Sequence, residues 1–258
     1  TPKMSLGSVS KNGVLYFSEP SENQFEEEYI KLRTLENRIL TDEQVKQLPY
    51  LQSHPKSKEW EVRQQSTQKF LEYINGKAFN TVLEIGCGNG WFSNLMAKQN
   101  PEFTVWGVDV NVKELDQAAR IFKNTKNLRF AYWDIFENHE SAPKPGLIVL
   151  NASVQYFENI NTLLKRLFKI IKAYGEIHII DSPFYGEEDA LKAKQRTIEY
   201  YSASNAGNLI PFYHHHVFDN IDGNYSVKKL YNPKGFSIRL KKLTGKKQNP
   251  FPWLKITK

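Results

Sequence analysis

The chain has 258 residues, of which 40% are hydrophobic and 13% aromatic, and its formal net charge is +7. This length suits one α/β domain with a helical cap and is short for two large independent domains. The mean hydropathy of −0.56 and the lack of an apolar run near the roughly 18 residues of a helical span argue against a membrane-spanning segment.

The N-terminal part of the chain is predicted to be an irregular arm followed by helices. Within the arm, the apolar residues 14–17 are a candidate short strand. Apolar residues at helical spacing predict a helix over residues 25–40. Thr41 is a candidate N-cap for a short second helix that ends before Pro49, and a third helix is predicted over residues 58–74.

Residues 81–109 have the pattern strand, glycine turn, helix, strand and acid. A short apolar run precedes Gly86, Gly88 and Gly90, and glycine allows a positive φ and a close approach of the backbone to a ligand. A second apolar run ends on Asp109, roughly twenty residues after the glycines. A carboxylate at that place can accept hydrogen bonds from a ribose diol.

The spacing of the glycines distinguishes two kinds of nucleotide site. A dinucleotide fingerprint requires G-x-G-x-x-G, because the pyrophosphate lies on the helix N-terminus. Here the third glycine comes one residue early and is followed by Trp91. Glu84, just before the glycines, would repel a pyrophosphate and favour an ammonium group. NAD-dependent oxidoreduction is therefore an outside alternative.

This G-x-G-x-G with an upstream acid resembles motif I of the class I S-adenosylmethionine-dependent methyltransferases. The resemblance implies that Glu84, the three glycines, Asp109 and the neighbouring Val110 bind the cofactor. It also implies that Cys87 is a small residue packed under the cofactor. As the one cysteine of the chain, Cys87 cannot form an internal disulfide, which favours a reducing, cytoplasmic location.

The resemblance extends to residues on both sides of motif I. Arg63, on the last helix before it, would pair with the methionine carboxylate, and a surface arginine in an i,i+4 network is the alternative. A helix over residues 112–122 and a strand over 128–132 follow the motif. At the strand tip, Asp134 would meet the adenine amino group and Ile135 would contact the ring. A capping or loop aspartate is the alternative for Asp134.

The next strand, residues 147–150, is continuously apolar and therefore predicted to be central. Its tip carries Asn151, implied to contact the cofactor, and Tyr156 follows at the motif IV position beside the methyl group. A helix over residues 160–171 and a strand over 174–180 complete the parallel part of the predicted sheet.

Residues 183–224 are predicted to be an insertion that covers the substrate. It contains His214, His215 and His216, and histidine has the pKa range of a base near neutral pH. On a helix these side chains would point about 100° apart, so they could not share one pocket or metal. Solvent-facing or core-packed histidines are the alternative. The tyrosines that could shape an aromatic pocket are Tyr156, Tyr200, Tyr201 and Tyr213.

Two alternating segments, residues 225–230 and 236–243, predict a closing antiparallel hairpin. The expected fold class is α/β: a Rossmann-like, seven-stranded, mostly parallel sheet with this C-terminal hairpin and an N-terminal helical lid. The predicted division is an arm and lid over residues 1–76 and a class I methyltransferase domain over residues 77–258.

S-adenosylmethionine carries its methyl group on a sulfonium, so the protein would hold a nucleophile in line and remove a proton from a neutral acceptor. The sequence contains no HEXXH, paired CxxC or Walker motif, and a catalytic metal is not supported. We therefore expect a cytoplasmic enzyme that methylates O, N or C of a small molecule and releases S-adenosylhomocysteine.

Two other functions stay open. Methylation of RNA or protein would use the basic C-terminal region and make binding depend steeply on salt. A basic tail is more often a solvated face. A protein that kept the fold and lost the chemistry would bind S-adenosylhomocysteine without turnover. The late lysines are Lys241, Lys242, Lys246, Lys247, Lys255 and Lys258.

Overall fold

The computed structural model describes residues 12–20, 24–52, 54–235 and 248–258, together with Ile238. Within these residues, helices cover both faces of an eight-stranded sheet. The strands are β1 Val14–Tyr16, β2 Thr81–Ile85, β3 Thr104–Asp109, β4 Leu128–Tyr132, β5 Leu147–Asn151, β6 Glu176–Ile180, β7 Ser226–Tyr231 and β8 Trp253–Thr257. The helices are α1 Gln24–Leu35, α2 Asp42–Gln47, α3 Ser57–Ile74, α4 Trp91–Gln99, α5 Val112–Phe122, α6 Ile160–Ile170 and α7 Glu187–Ala203.

The sheet has the order β1-β4-β3-β2-β5-β6-β8-β7. The strands from β1 to β6 run parallel, whereas β8 is antiparallel to both β6 and β7. After β2 the chain adds β3 and β4 on one side and then returns to add β5 on the other. Such a reversal opens a crevice at the carboxyl ends of the neighbouring strands, which is where ligands bind in open α/β sheets.

Both faces of the central strands are buried. Val82 and Val149 belong to a core with α3, α4 and α5, while Leu83 and Ile148 belong to a second core with α6. This alternation follows from the two-residue period of a strand and explains why β2 and β5 read as continuous apolar runs. None of the helices in the described ranges combines the length and apolar character that crossing a bilayer would take.

The predicted fold class is confirmed, with one additional strand. β1 pairs in parallel with β4, with Val14 opposite Phe130, so the described sheet has eight strands rather than seven. The candidate strand at residues 14–17 therefore lies at the sheet edge. The first helix ends at Leu35, earlier than expected, because Asn37 takes a positive φ of 54° that a helix does not allow.

The predicted closing hairpin has a different partner strand. Among the described residues β7 pairs with β8, and the predicted pairing of residues 225–230 with residues 236–243 is not seen there. The segment 236–243 lies outside the described residues except for Ile238. β8 carries Leu254 and Ile256, both fully buried between the neighbouring strands. Both segments alternate in the same way, so periodicity alone could not select the true partner.

A buried polar network ties helix α3 to the sheet. Nδ1 of His178 accepts a hydrogen bond from Nε1 of Trp253 at 2.9 Å, and its Nε2 donates to Glu176 at 3.1 Å. Tyr73 on α3 and Lys255 on β8 also donate to Glu176, at 2.7 and 2.5 Å. Burial lowers the pKa of His178, which keeps the ring neutral in this arrangement.

The short helix α2 starts as its sequence predicts. The Thr41 hydroxyl accepts a hydrogen bond from the backbone N–H of Gln44 at 3.3 Å, and the Gln44 side chain accepts one from the Thr41 N–H at 2.9 Å. This reciprocal capping box satisfies two N–H groups that would otherwise lack partners. The cap thereby fixes the point where the chain turns from α1 towards α3.

Candidate functional site

A cavity of about 1290 Å³ opens where the parallel strands end. It exceeds the roughly 300–1,000 Å³ of typical small-molecule sites, so it has room for two ligands side by side. α1, α3 and α7 contribute to its walls. The lining residues at strand ends include Glu84, Ile85, Val108, Asp109, Tyr132, Asn151 and Asp181.

The glycine turn between β2 and α4 needs glycine for two separate reasons. Gly86 has a φ of +72°, and a Cβ there would lie 2.5 Å from the Cβ of Ser153. Gly90 has a φ of +73°, and its Cβ would lie 2.5 Å from the ring of Phe130. Gly88 also has a positive φ, of 52°. The positive φ predicted for this turn is therefore present at all three glycines.

Asp109 ends β3 and holds the glycine turn in place. Its Oδ1 accepts hydrogen bonds from the backbone N–H groups of Val110 at 2.7 Å and Asn111 at 2.9 Å. Its Oδ2 accepts one from the N–H of Gly88 at 2.7 Å. Burial raises the pKa of the Asp109 carboxyl, while the three backbone donors act to lower it. Oδ2, which accepts one bond within the protein, can accept another from a ligand hydroxyl.

Glu84 lies buried at the end of β2 and lines the cavity. Its Oε2 accepts a hydrogen bond from the Ser93 hydroxyl at 2.5 Å. Burial raises the pKa of the Glu84 carboxyl to about 8, and the charge of Asp109 adds to the rise. A cation beside it would therefore favour the charged form. The neighbouring Cys87 thiol is also buried, which raises its pKa and leaves it a small packing residue.

We expect Glu84→Gln to stabilise the cofactor-free protein at alkaline pH. The pKa is about 8 in the folded chain against an ordinary 4.5, so protonation contributes stability that is full below about pH 4.5. That stability is lost as the pH rises through about 8. The neutral glutamine avoids the loss, so the variant should be more stable near pH 9 by on the order of 1 to 4 kcal/mol.

Urea unfolding at a series of pH values measures this difference. The two proteins should have similar unfolding free energies below about pH 5 and diverge above it. Glu72→Gln, a change at an exposed position of α3, is the control. Parallel stability profiles for wild type and Glu84→Gln would contradict the prediction.

The other predicted cofactor residues on the strand ends also line the cavity. The backbone N–H of Asp134 donates to the Ser18 hydroxyl at 2.7 Å, and its Oδ1 accepts from the N–H of Phe136 at 3.0 Å. Ile135 is buried beside it. Asn151 is buried at the end of β5, and its Oδ1 has no hydrogen-bond partner among the described residues. That oxygen is free to accept a bond from a ligand donor.

Arg63 on α3 lines the same cavity, and it also belongs to the i,i+4 pair given as its alternative. Its Nη2 lies 3.6 Å from Oε1 of Glu59, and its guanidinium lies 5.2 Å from the ring centre of Trp60. Asp181, after β6, accepts a hydrogen bond from the Ser66 hydroxyl on α3 at 2.7 Å. Helix α3 therefore contributes Arg63 to the cavity lining and Ser66 as a partner of Asp181, which also lines the cavity.

The three consecutive histidines are not among the described residues that line the cavity. They lie in a segment without regular secondary structure rather than on a helix. His216 is buried, and its Nε2 donates to the carbonyl of Val154 at 3.0 Å. His215 has its Nε2 2.9 Å from the hydroxyl of Thr197, which does line the cavity. Burial lowers the pKa of His214, His215 and His216, and a base among them stays a prediction.

Tyrosines form one end of the cavity. The ring of Tyr156 lies 5.8 Å from that of Tyr29 and 6.0 Å from that of Tyr213, edge to face in both cases. Tyr213 is also 6.0 Å from Tyr201. Arg33 places its guanidinium 5.3 Å from the ring centre of Tyr29. Tyr29 and Arg33 were not among the site residues predicted from the sequence, although their i,i+4 spacing puts them on one helix face.

Comparison with known proteins gives a match to one family and relatives that align over only part of their length. A family model described as a methyltransferase domain matches residues 58–221. A malonyl-[acyl-carrier protein] O-methyltransferase of Priestia megaterium is 26% identical over 120 residues, which are 45% of this chain and 43% of the relative. A trans-aconitate 2-methyltransferase of Pseudomonas aeruginosa is 28% identical over 107 residues, 41% of this chain and 37% of the relative. Each match therefore spans less than half of the relative.

Solved structures match over more of the chain. The plantazolicin methyltransferase BpumL, in complex with a pentazolic desmethylPZN analog and SAH, has a TM-score of 0.50 at 17% identity, covering 88% of this chain and 97% of that one. An O-methyltransferase family protein from Burkholderia thailandensis has a TM-score of 0.51 at 13% identity, covering 77% and 57%. At these identities the likeness concerns the fold.

Proposed function

This chain belongs to the class I S-adenosylmethionine-dependent methyltransferase family, and on that premise we propose that it transfers a methyl group from S-adenosylmethionine to a small-molecule acceptor. One observation carries the proposal. Glu84, the three-glycine turn and Asp109 meet at the edge of one large cavity, and the unpartnered Oδ1 of Asn151 lies in its wall.

The residues present fit this cofactor. Oδ2 of Asp109 would accept a ribose hydroxyl, and Asp134 with Ile135 would hold the adenine. Glu84 and Oδ1 of Asn151 would favour the ammonium of the methionine part, whose carboxylate would pair with Arg63. The close approach at Gly86, where a side chain has no room, lets the ligand lie against the backbone.

When bound, S-adenosylmethionine supplies a methyl group already activated by its sulfonium. The task left to the chain is to hold the acceptor in line, with its nucleophilic atom about 3 Å from the methyl carbon, and to exclude water. We assign the exclusion of water to the ring cluster around Tyr156. The N-terminal residues 1–76 are assigned the role of a lid, and the segment 183–224 that of a substrate cover, because residues of both line the cavity.

The test combines binding and turnover. Calorimetry should give saturable binding of S-adenosylhomocysteine and none of NAD. With S-adenosylmethionine labelled on its methyl group, the label should appear in the small-molecule fraction of a cell extract rather than in its RNA or protein. Failure of S-adenosylhomocysteine to bind would refute the proposal. Binding without any labelled product would instead identify a protein that kept the fold and lost the chemistry.

A further inference from the structure

Arg33 is a cavity-lining cation with no ion pair among the residues that the structure describes. It extends from α1 into the tyrosine end of the cavity, where its guanidinium lies 5.3 Å from the ring centre of Tyr29. Its Nε is buried and has no hydrogen-bond partner among the described residues. No carboxylate of the described residues comes within the 4.0 Å of an ion pair with it. A guanidinium held away from water in this way is costly until an anion joins it.

Two other arginines near α1 and α3 differ in this respect: Arg38, between α1 and α2, and Arg63, on α3. Nε of Arg38 lies 2.9 Å from Glu36, and its Nη1 lies 2.6 Å from Glu59. Arg63 is 3.6 Å from Glu59. Arg38 and Arg63 thus each have a carboxylate partner within the protein, whereas Arg33 has none among the described residues.

The surroundings of Arg33 select the kind of anion. The charges of Glu114 and Glu36 act on Arg33 from beyond ion-pair distance, so a dianion such as a phosphate would be repelled more strongly than a monoanion. The guanidinium fork matches a carboxylate with two parallel hydrogen bonds. Around it lie apolar and aromatic groups that would contact a hydrocarbon skeleton. They are Tyr29, Leu32, Tyr156, Tyr201, Leu209 and Tyr213.

Resting on the proposed methyl transfer, we propose that the acceptor is a carboxylic acid with an apolar or aromatic skeleton, whose carboxylate pairs with Arg33 and is itself methylated. A carboxylate oxygen attacks the methyl carbon and forms the C–O bond. The S–CH3 bond breaks, and its electron pair stays on sulfur. The products are a methyl ester and S-adenosylhomocysteine, and no proton moves.

Such an acceptor matches the titratable groups at this end of the cavity. Burial raises the pKa of Tyr29, Tyr156 and Tyr213, so these hydroxyls keep their protons near neutral pH. His54 is the one described histidine in the lining, and its Nδ1 accepts a hydrogen bond from the N–H of Lys56 at 3.1 Å. The neutral ring then carries its proton on Nε2 and is a donor there. A carboxylate needs no base from any of these groups.

The first experiment measures binding to the protein loaded with S-adenosylhomocysteine. The probes are phenylacetate, 3-phenylpropionate and 4-phenylbutyrate, each compared with its primary amide by calorimetry. We expect at least one acid to bind about tenfold or more tightly than its amide. Arg33→Gln should remove that preference, and Arg33→Lys should keep part of it. Arg38→Gln, which changes an arginine already paired, should keep it in full.

The second experiment tests the product. The acid that binds best is incubated with methyl-labelled S-adenosylmethionine, and alkali should release the label as methanol, as expected of a methyl ester. Equal binding of acid and amide, an undiminished preference in Arg33→Gln, or no alkali-labile label would each overturn the inference. The affinity for S-adenosylhomocysteine is measured in every variant. If the wild type itself does not bind S-adenosylhomocysteine, the proposed function fails rather than this inference.

Discussion

Replacement of Asp109 by alanine is expected to lower the affinity for S-adenosylhomocysteine by about 100-fold or more. A charge-assisted hydrogen bond contributes about 1.5–3 kcal/mol, and each 1.4 kcal/mol is a tenfold change in affinity. The variant loses the carboxylate that would accept from the ribose. It also loses the acceptor for the N–H groups of Gly88, Val110 and Asn111, so the turn itself becomes less ordered.

Calorimetric titration with S-adenosylhomocysteine measures this effect, after circular dichroism has shown that the variant is folded. Asp116→Ala is the matched control, because Asp116 lies on the adjacent helix α5 and outside the cavity lining. It should bind like the wild type. A folded Asp109→Ala protein with unchanged affinity would remove Asp109 from the site.

Gly90→Ala is expected to destabilise the fold by about 3 kcal/mol or more. A left-handed backbone conformation at a non-glycine residue costs on the order of 1–3 kcal/mol, and overpacking a core adds a similar amount. At Gly90 both apply. Its φ is +73°, and the added methyl would lie 2.5 Å from the Phe130 ring and 2.9 Å from the Cβ of Ala118. Both neighbours are buried, which limits their movement.

Gly76→Ala separates the two causes. Gly76 has a nearly identical φ of +74°, but nothing lies within 4 Å of an added Cβ. The control variant should therefore lose only the backbone part, about 1 kcal/mol. Urea unfolding gives both free energies under the same conditions. Equal losses in the two variants would show that packing against Phe130 does not restrict position 90.

The glycine turn was predictable because its chemistry is local. The order strand, glycine, helix and acid lies within 29 consecutive residues, and the predicted positive φ values are present. The pairing of β7 was not predictable in this way. Residues 236–243 and β8 have similar alternation, and only packing against the distant β6 selects between such segments.

The histidine segment illustrates the limit of residue chemistry as a guide. Three histidines invite the prediction of a base, but their direction depends on a backbone contact that no local pattern reveals. Val217 forms an isolated bridge with Tyr185, and the segment before it has no regular secondary structure. His216 consequently turns to the carbonyl of Val154. The place of Arg33 in the cavity wall was not predicted, because helical spacing does not tell whether a face meets solvent, core or cavity.

The two sides of the cavity come from different parts of the chain and can therefore change independently by mutation. The glycine turn and strand ends form one side, while most of the tyrosine end comes from α1 and from residues 201–213, which lie far apart along the chain. Mutations in those two segments leave the glycine turn untouched. Descendants of such a protein could thus drift to new acceptors one side chain at a time without losing their methyl donor.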